Sequence, residues 1–450
     1  MTDLSNSALF TDLYELTMAA AYFENHYAAD ASFELFVRSL PKERAFLLAA
    51  GLEQALEYLE NFRFCDQEIE YLRRQPVFRY VSDAFFQHLA QLRFTGNVWA
   101  MPEGTPVFGE EPLLRVTAPI IQAQIVETFL LSTITFQTMI ASKAARVVLA
   151  AEGRNVVEFG SRRAHGPQAG VLAARAAYIG GCSGTSNVEA GHRFGVPVFG
   201  TMAHSFVMAY TKEEDAFREF QQLFSEASVL LVDTYDTLAA IDKIIRSDLR
   251  PPGVRLDSGD LLELSKQVRQ RLDKAGLHDT RIFASGDLDE FSIANLLARG
   301  AKIDGFGVGT ALATSKDAPA LGGVYKLVDV QSQEGILYRA KFSEEKMTYP
   351  GPKQVFRFSG PDGLYAEDVV ARANESYADA KPLLAPVMLR GKRIEPADGI
   401  QDIQLRAREE VAKLPADCRR LHAPQTYRVS FSQQLRDLSE TVRQQVLNGA

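Results

Sequence analysis

Residues 253–287 contain two short apolar segments with similar endings, and they indicate how the centre of the chain folds. The first is GVRLDSGD (253–260) and the second is RIFASGD (281–287), with helix-forming residues between them. Both endings contain Ser-Gly-Asp, which is typical of a turn after a short buried strand. A strand, a helix and a second strand of these lengths predict a parallel βαβ unit.

The same alternation extends on both sides, from about residue 130 to residue 330. Further β-rich segments are NVVEFG (155–160), VPVFGTMA (196–203), VLLVDTY (229–235) and GFGVGTA (305–311). This alternation predicts an α/β domain with a parallel sheet, either open or closed into a barrel. Because the carboxyl ends of parallel strands meet at one edge, the side chains that end these segments are the candidate functional residues.

The two ends of the chain have a more mixed pattern of helices and short strands. We expect an amphipathic helix near the amino terminus, begun by a capping box of Asp12 and Glu15. We also expect a C-terminal helix with an apolar face after the strand YRVSF (427–431). We therefore divide the chain into an amino-terminal part (1–130), a central α/β barrel (131–334) and a carboxyl-terminal part (335–450).

Composition and charge exclude several classes of protein. The 450 residues include 49 Lys and Arg against 57 Asp and Glu, so the net charge is −8 and a general nucleic-acid binder is excluded. No apolar run approaches the ~18 residues of a membrane span, and the amino terminus has no signal-peptide pattern. Cys65, Cys182 and Cys418 form no CxxC pair, which favours reduced thiols. We expect a cytoplasmic protein that binds neither nucleic acid nor membrane.

Three strand ends favour a sugar phosphate as ligand. Asp257 and Asp260 could hold a ribose diol or a magnesium-bound phosphate, and Arg255 adds a cation, although a simple turn with Asp260 capping the next helix is the alternative. The run Ser285-Gly286-Asp287 repeats this ending on the next strand. The repetition makes a purely structural role less favoured.

The glycine run Gly305-Phe306-Gly307-Val308-Gly309, followed by Thr310, ends the next segment. It matches neither the dinucleotide fingerprint nor a Walker motif. Its glycines would let backbone N–H groups approach a phosphate, although a turn that needs positive φ is the alternative. After two Ser-Gly-Asp endings, we favour the phosphate interpretation.

Two further strand ends carry side chains suited to an aromatic anion and to phosphoryl transfer. Phe159 could stack on a ring while Arg162 or Arg163 binds a carboxylate or phosphate, with a core phenylalanine and surface arginines as the alternative. His204 could accept a phosphoryl group or act as an acid or base, although a lone histidine is more often structural.

The segment VLLVDTYDT (229–237) looks superficially like the phosphoribosyl-diphosphate loop of type I phosphoribosyltransferases. The adjacent acidic pair and the closing glycine of that loop are missing, so we reject that class. We expect Asp233 and Asp236 to form a turn or to cap a helix near the same site.

Taken together, these motifs resemble the nicotinate phosphoribosyltransferase family, the ATP-using enzymes of NAD salvage. The resemblance covers nearly the whole chain. It is carried by TDLYELTM (11–18), EFGSRRAHGPQAG (158–170), GTSNVEAG (184–191), GTMAHSFV (200–207), GVRLDSGDL (253–261), GVYKLV (323–328) and KMTYPGPKQVFR (346–357). The resemblance implies the type II phosphoribosyltransferase fold, an irregular α/β barrel with a flanking α/β domain built from both chain ends.

The resemblance also implies a role for each matching residue. Phe159 would stack on the pyridine ring, and Tyr14 from the partner subunit of a head-to-tail homodimer would stack on the other face. Arg162 and Arg255 would contact the substrate carboxylate and phosphates, with Asp257 beside the ribose. The histidine phosphorylated by ATP would be His204. The 5-phosphate would be held by Ser285, Gly286, Asp287, Gly307, Gly309 and Thr310.

Some roles implied by the family are less defined. Lys326 and the region from Lys341 through Lys346 to Lys353 are uncertain phosphate contacts, and no role is assigned to Arg357. We expect no protein metal site, because Mg²⁺ would be held mainly by the diphosphate.

The sequence therefore predicts ATP-coupled synthesis of nicotinate mononucleotide from nicotinate and 5-phosphoribosyl 1-diphosphate, with release of diphosphate. The alternatives are a nicotinamide or quinolinate phosphoribosyltransferase, or a non-catalytic sugar-phosphate or nucleotide sensor on the same barrel. Ser186 favours nicotinate, because the resembling nicotinamide enzymes carry an aspartate there that would repel a carboxylate. A serine that only closes a turn is the alternative.

Overall fold

A parallel sheet from the middle of the chain and an antiparallel sheet from both ends organise the structure. The computed structural model describes residues 7–332, 335–343 and 347–448. Its helices are α1 (Leu13–Glu24), α2 (Leu52–Asn61), α3 (Asp66–Arg73), α4 (Asp83–Gln91), α5 (Ile120–Ile125), α6 (Glu127–Ala150), α7 (Pro167–Ile179), α8 (Val188–Phe194), α9 (His204–Met208), α10 (Glu213–Phe224), α11 (Thr237–Arg246), α12 (Leu261–Lys274), α13 (Glu290–Ala298), α14 (Thr310–Ala313), α15 (Ile400–Ala412) and α16 (Gln433–Leu447).

The strands fall into four sheets. They are β1 (Asp30–Val37), β2 (Leu47–Leu48), β3 (Asn97–Ala100), β4 (Pro106–Val107), β5 (Pro112–Pro119), β6 (Asn155–Glu158), β7 (Gly184–Thr185), β8 (Val229–Leu231), β9 (Gly253–Leu256), β10 (Arg281–Ala284), β11 (Gly305–Val308), β12 (Gly323–Ser332), β13 (Gly335–Tyr338), β14 (Lys353–Ser359), β15 (Tyr365–Arg372), β16 (Ala380–Pro382), β17 (Ala385–Leu389), β18 (Lys392–Arg393) and β19 (Val429–Phe431).

The central sheet is parallel and has the order β7-β6-β11-β10-β9-β8. Its strands are short and mostly buried, as expected for a sheet covered by helices. The units β9-α12-β10 and β10-α13-β11 confirm the predicted βαβ alternation. Asp260 caps α12 by accepting hydrogen bonds from the N–H groups of Leu262 and Glu263, as the sequence suggested. We call this six-stranded parallel sheet with its covering helices the half-barrel. It brings the predicted strand ends to one edge.

The largest antiparallel sheet combines strands from both chain ends in the order β13-β12-β1-β5-β3-β17-β18. Its strand β1 is buried along nearly its whole length and pairs with β12 on one side and β5 on the other. The expected flanking domain from both ends is thereby confirmed. The division at 130 and 334 stays a prediction; β12, which lies before 334, pairs with β1 in the flanking sheet.

The opening helix begins where the sequence predicted, but the expected capping box is wrong. Asp12 precedes α1 without capping it, and its carboxylate accepts a hydrogen bond from Thr128 Oγ1 at 2.9 Å. The buried carboxylate of Glu15 accepts hydrogen bonds from Thr11 and Thr128. Burial raises the pKa of Glu15 to about 7 despite these hydrogen bonds. Hydrogen bonds from Thr128, at the start of α6, therefore take the place of the expected cap contacts of Asp12 and Glu15.

No helix in residues 7–332, 335–343 and 347–448 is both long enough and apolar enough to cross a membrane.

A buried ion pair joins two sheets of the flanking domain. Lys353 Nζ lies 2.8 Å from Glu34 Oε2, and side-chain exposure is 6% for the lysine and 0% for the glutamate. The amine also donates to the carbonyl oxygens of Tyr349 and Gly351. Because all of these partners belong to the protein, the charge of Lys353 serves the fold.

Removing this cation should strongly destabilise the protein. Lys353→Met would remove the cation in direct contact with the buried Glu34, so the free energy of unfolding should fall by about 3–5 kcal/mol. In the control Lys381→Met, which affects a 61% exposed side chain paired with Glu410, the change should stay below about 1 kcal/mol. Urea denaturation measures both values. Equal, small effects would contradict the structural role of Lys353.

Candidate functional site

Arg255 and Asp257 join the ends of β9 and β10 into one polar cluster. The guanidinium of Arg255 donates from Nη2 to Asp257 Oδ1 at 2.7 Å and from Nε to Ser285 Oγ at 2.8 Å. Its Nη1 donates to Thr201 Oγ1 at 2.8 Å, and Ser285 Oγ donates to Asp257 Oδ1. Because β9 and β10 are neighbours, the two repeated endings meet as predicted.

The charge of Asp257 is stabilised by this cluster. Burial alone would raise the pKa of its carboxyl group. Hydrogen bonds from Ser285 and Arg255, together with the charges of Arg255 and His204, outweigh burial and lower the pKa below its ordinary value. Asp257 is therefore an anion at neutral pH, suited to stabilising a nearby cation.

His204 lies beside this anion, at the first residue of α9. Its Nδ1 forms a hydrogen bond with Thr234 Oγ1 at 3.1 Å, and its Nε2 lies 3.8 Å from Asp257 Oδ2. The side chain is 41% exposed. One ring nitrogen is thus held by the protein while the imidazole stays open to a ligand.

Phe159 lies on the other side of Arg255. The guanidinium carbon of Arg255 is 5.7 Å from the centroid of the Phe159 ring. The centroids of the Phe159 and Phe283 rings are 5.9 Å apart. A Cβ on Gly307 would lie 2.5 Å from the Phe159 ring, so the close approach of this ring requires glycine at 307. Phe159 is partly exposed, as a stacking surface must be.

The predicted phosphate residues lie at the ends of the adjacent strands β10 and β11. Gly286 has a φ of +93°, and a Cβ there would lie 2.1 Å from the carbonyl oxygen of Asp257. Asp287 also has a positive φ, of 47°, and is exposed. Gly309 precedes α14, which begins at Thr310. The first of these turns lies against Asp257, and the second lies against Phe159.

Three predicted ligand residues are outside this cluster. Arg162 lies in a 3₁₀ helix (Ser161–Arg163) next to Phe159, and Ser186 follows β7; both are exposed. Tyr14 lies at the start of α1, where its hydroxyl group bonds to Glu127, and burial raises its pKa. None of the ring contacts within the described part of the chain involves Tyr14, so its stacking role stays a prediction.

The less certain basic residues differ in what their side chains contact. Arg357 is buried and binds Asp368 through Nε and Nη2, so it serves the fold like Lys353. Lys326 lies on β12 opposite Glu34, and the backbone of Lys341 pairs with Thr348. Lys346 lies outside the described residues. These observations assign none of them to a ligand.

Several residues of the site were missed by sequence reasoning. Thr201 binds Arg255, and Thr234 binds His204. Each threonine lies near the end of a β-rich segment, 196–203 or 229–235. Asp233 had been expected only near the site. Its Oδ2 accepts a hydrogen bond from the N–H of Asp257 at 3.1 Å, and its Oδ1 is buried without a hydrogen-bond partner. Single polar residues after short strands carry too weak a signal to be selected from sequence alone.

Asp236 caps α11 by accepting a hydrogen bond from the N–H of Ala239, which confirms the predicted capping role. Within the described residues, no group of three or more His, Cys, Asp or Glu side chains is placed to hold a metal ion.

Comparison with known families covers most of the chain. Residues 9–135 match the family described as nicotinate phosphoribosyltransferase (NAPRTase) N-terminal domain, and residues 372–439 match the corresponding C-terminal domain. Residues 140–318 match the C-terminal domain of quinolinate phosphoribosyl transferase. The match to the quinolinate family spans all six strands of the parallel sheet, which lie between residues 155 and 308.

Individual relatives agree with these matches. A nicotinate phosphoribosyltransferase of Mycobacterium tuberculosis is 50% identical over 426 residues, which cover 92% of this chain and 89% of the relative. The Bacillus subtilis enzyme of the same name is 44% identical, covering 84% and 78% of the two chains.

A solved structure extends the agreement to the fold. The crystal structure of human nicotinic acid phosphoribosyltransferase superimposes with a TM-score of 0.84 at 30% identity, covering 96% of this chain and 99% of that one. The expected type II fold, a parallel barrel sheet with a flanking domain from both chain ends, is confirmed. With its sequence matched at both ends and its fold matched throughout, the chain belongs to the nicotinate phosphoribosyltransferase family.

Proposed function

We propose that this enzyme forms nicotinate mononucleotide and diphosphate from nicotinate and 5-phosphoribosyl 1-diphosphate, in NAD salvage. One observation carries the proposal beyond family membership. The ion-paired cluster of Asp257, Arg255 and Ser285 adjoins a partly exposed aromatic ring, Phe159, and the turn at Gly286, while the glycine turn at 307–310 lies against that ring. A ribose, a pyridine ring and a phosphate each have a suitable contact there.

The chemistry follows from these contacts. When the bond from C1 of the ribose to diphosphate breaks, positive charge develops on the sugar, and the ionised Asp257 can stabilise it. The pyridine nitrogen of nicotinate then bonds to C1, and the diphosphate leaves with the electron pair of the broken bond. Stacking on Phe159 would hold the ring for this attack. Arg255 or Arg162 would neutralise the nicotinate carboxylate or a phosphate.

The ATP requirement is a further part of the proposal and rests on His204. Its Nδ1 is held by Thr234 while its partly exposed ring faces Asp257. A partly exposed histidine that is oriented by Thr234 at one nitrogen and by Asp257 near the other suits phosphoryl acceptance from ATP. Phosphorylation beside the sugar-phosphate turns would couple ATP hydrolysis to synthesis.

We propose that Mg²⁺ acts with the diphosphate. The unpartnered Oδ1 of Asp233 and the exposed carboxylate of Asp287 fit a hard cation that takes most of its ligands from phosphate oxygens. When bound, the ion would neutralise charge on the leaving diphosphate.

We also propose a head-to-tail homodimer in which Tyr14 completes the neighbouring site. The ring is 46% exposed and lies on α1 in the flanking domain. Leu13 and Phe10 are exposed beside it, at 54% and 47%. An exposed apolar patch of this kind is typical of an interface.

Among related substrates, nicotinate is favoured over nicotinamide and quinolinate. Ser186 offers a neutral hydroxyl group where an acid would repel a carboxylate. Quinolinate would require cations matched to a second carboxylate, and the matched quinolinate family covers only residues 140–318. A non-catalytic sensor would not require the histidine beside the ionised Asp257.

The cysteines are free, and two are buried, which supports a cytoplasmic location.

The reaction can be tested by measuring diphosphate release with nicotinate, nicotinamide or quinolinate, each with and without ATP. We expect nicotinate to be used at least about 100-fold more efficiently than nicotinamide, because Ser186 leaves the ring site without an acid. ATP should stimulate the reaction. No turnover with nicotinate, or a preference for quinolinate, would contradict the proposed function.

His204→Ala serves as the second arm of this assay. It should abolish ATP hydrolysis and acid-labile phosphorylation, while some ATP-independent synthesis survives because the other contacts remain. Phosphohistidine retained in this variant would disprove the role of His204.

The shared site predicts that two inactive subunits can complement each other. Tyr14→Ala subunits mixed with Asp257→Ala subunits should regain activity, because one site of each hybrid dimer has both residues intact. Up to about one quarter of wild-type activity is expected, since half of the dimers are hybrid and each holds one intact site. Absence of recovery after confirmed subunit exchange would argue against sharing.

A further inference from the structure

A buried acid to which the proposed reaction assigns no step lies directly before Phe159. Glu158 ends β6 and is 1% exposed. In the described parts of the chain, no Lys, Arg or His forms an ion pair with it. Burial raises its pKa, although hydrogen bonds from Thr185 and Gly160 act in the opposite direction. A carboxyl group in this position needs its hydrogen-bond donors, because burying it without them is costly.

The donors to Glu158 form a closed circuit between two loops. Oε1 accepts a hydrogen bond from the N–H of Gly160, and Oε2 accepts one from Thr185 Oγ1 at 2.6 Å. Thr185 Oγ1 in turn accepts from the N–H of Asn187 at 3.0 Å. Asn187 Nδ2 donates to Ser161 Oγ at 3.0 Å, which returns the circuit to the residue after Gly160.

Both predicted ring contacts lie within this circuit. Phe159 stands between Glu158 and Gly160, and Ser186 stands between two other members of the circuit. The N–H of Ser186 donates to the carbonyl oxygen of Glu158 at 2.9 Å, so backbone and side chain of one residue hold both loops. The pairing of β6 with β7 and this backbone hydrogen bond place the two loops side by side, and the buried carboxyl group of Glu158 adds the side-chain link between them.

The surrounding packing leaves these loops little freedom. A Cβ on Gly160 would lie 2.2 Å from the Cβ of Ala313, and one on Gly184 would lie 2.3 Å from the carbonyl oxygen of Pro197. With the backbone enclosed on both sides, loss of a hydrogen bond cannot be repaired by a large shift. It would leave a buried polar group unsatisfied.

We propose that Glu158 and Thr185 are positioning residues that set the affinity for nicotinate by fixing Phe159 relative to Ser186. The inference rests on the proposed function, since it assigns the pyridine ring to these two loops. The turns assigned to 5-phosphoribosyl 1-diphosphate, at 285–287 and 307–310, lie at the ends of β10 and β11, and none of their residues takes part in the hydrogen bonds of the circuit. The two substrates should therefore respond differently when the circuit is broken.

Thr185→Val tests this difference, because it keeps the shape of the side chain and removes the hydroxyl group. The KM for nicotinate should rise at least about tenfold, while the KM for 5-phosphoribosyl 1-diphosphate stays within about twofold. Thr185→Ser restores the hydroxyl group and should bring the KM for nicotinate to within about threefold of wild type.

Thr280→Val is the matched control. Thr280 is 4% exposed, precedes β10 at its amino end and donates through Oγ1 to the carbonyl oxygen of Pro251 at 2.9 Å. The control removes the same kind of buried hydroxyl group far along the strand from the site. It should lower the melting temperature without changing either KM.

A milder variant covers the case in which Thr185→Val fails to fold. Ser161 is only partly buried, and Ser161→Ala removes the acceptor for Asn187. Its KM for nicotinate should rise about threefold with the other KM unchanged. Equal changes in both KM values, or an unchanged KM for nicotinate in folded Thr185→Val and Ser161→Ala, would overturn the inference. If wild type forms no nicotinate mononucleotide, the proposed function itself fails, and the two failures are thus distinguishable.

Discussion

The ion pair between Arg255 and Asp257, extended by Ser285, is the interaction on which the site depends. It crosses from β9 to β10 and fixes the ends of both strands. The guanidinium also faces the ring of Phe159, the residue after β6. In the sheet, β11 separates β6 from β10. One cation therefore connects Asp257, proposed to contact the sugar, to Phe159, proposed to contact the ring. The same cation lowers the pKa of Asp257 and keeps that carboxylate charged at neutral pH.

The half-barrel makes this arrangement possible, and the flanking domain supports it. Parallel strands present their carboxyl ends at one edge, so short polar endings far apart in sequence become neighbours. The flanking sheet needs β12 from the end of the barrel region to pair with β1 from the amino-terminal part. Buried pairs such as Lys353 with Glu34 then fasten its layers. In the carboxyl-terminal part, some basic residues, such as Lys353, are buried in ion pairs of the fold, and others, such as Lys381, are exposed to solvent.

Much of this could be predicted from the sequence, because its strongest signals are local. The alternation of apolar segments predicts the parallel sheet, and the repeated Ser-Gly-Asp endings predict where Asp257 and Ser285 lie. Cap residues such as Asp260 and Asp236 are also local signals, and both are confirmed. Asp12 shows the limit of this reasoning. Its pattern with Glu15 is that of a capping box, but the hydroxyl and N–H groups of Thr128 offer better partners for the two acids.

Contacts between distant segments could not be predicted in this way. Thr201, Thr234 and Glu158 are single polar residues, each with a side-chain partner 27 or more residues away, and only the folded sheet brings them together. Glu158 is the clearest case, because in sequence it is only the residue before an aromatic. In the structure it is a buried carboxyl group that holds two loops.

A crystal structure with nicotinate mononucleotide bound would test the central assignment most directly. The account predicts the pyridine ring against Phe159, the ribose hydroxyl groups near Asp257 and the phosphate against the turns at 285–287 and 307–310. A product bound with its phosphate at the Phe159 end, or bound in the flanking domain away from Arg255, would contradict it.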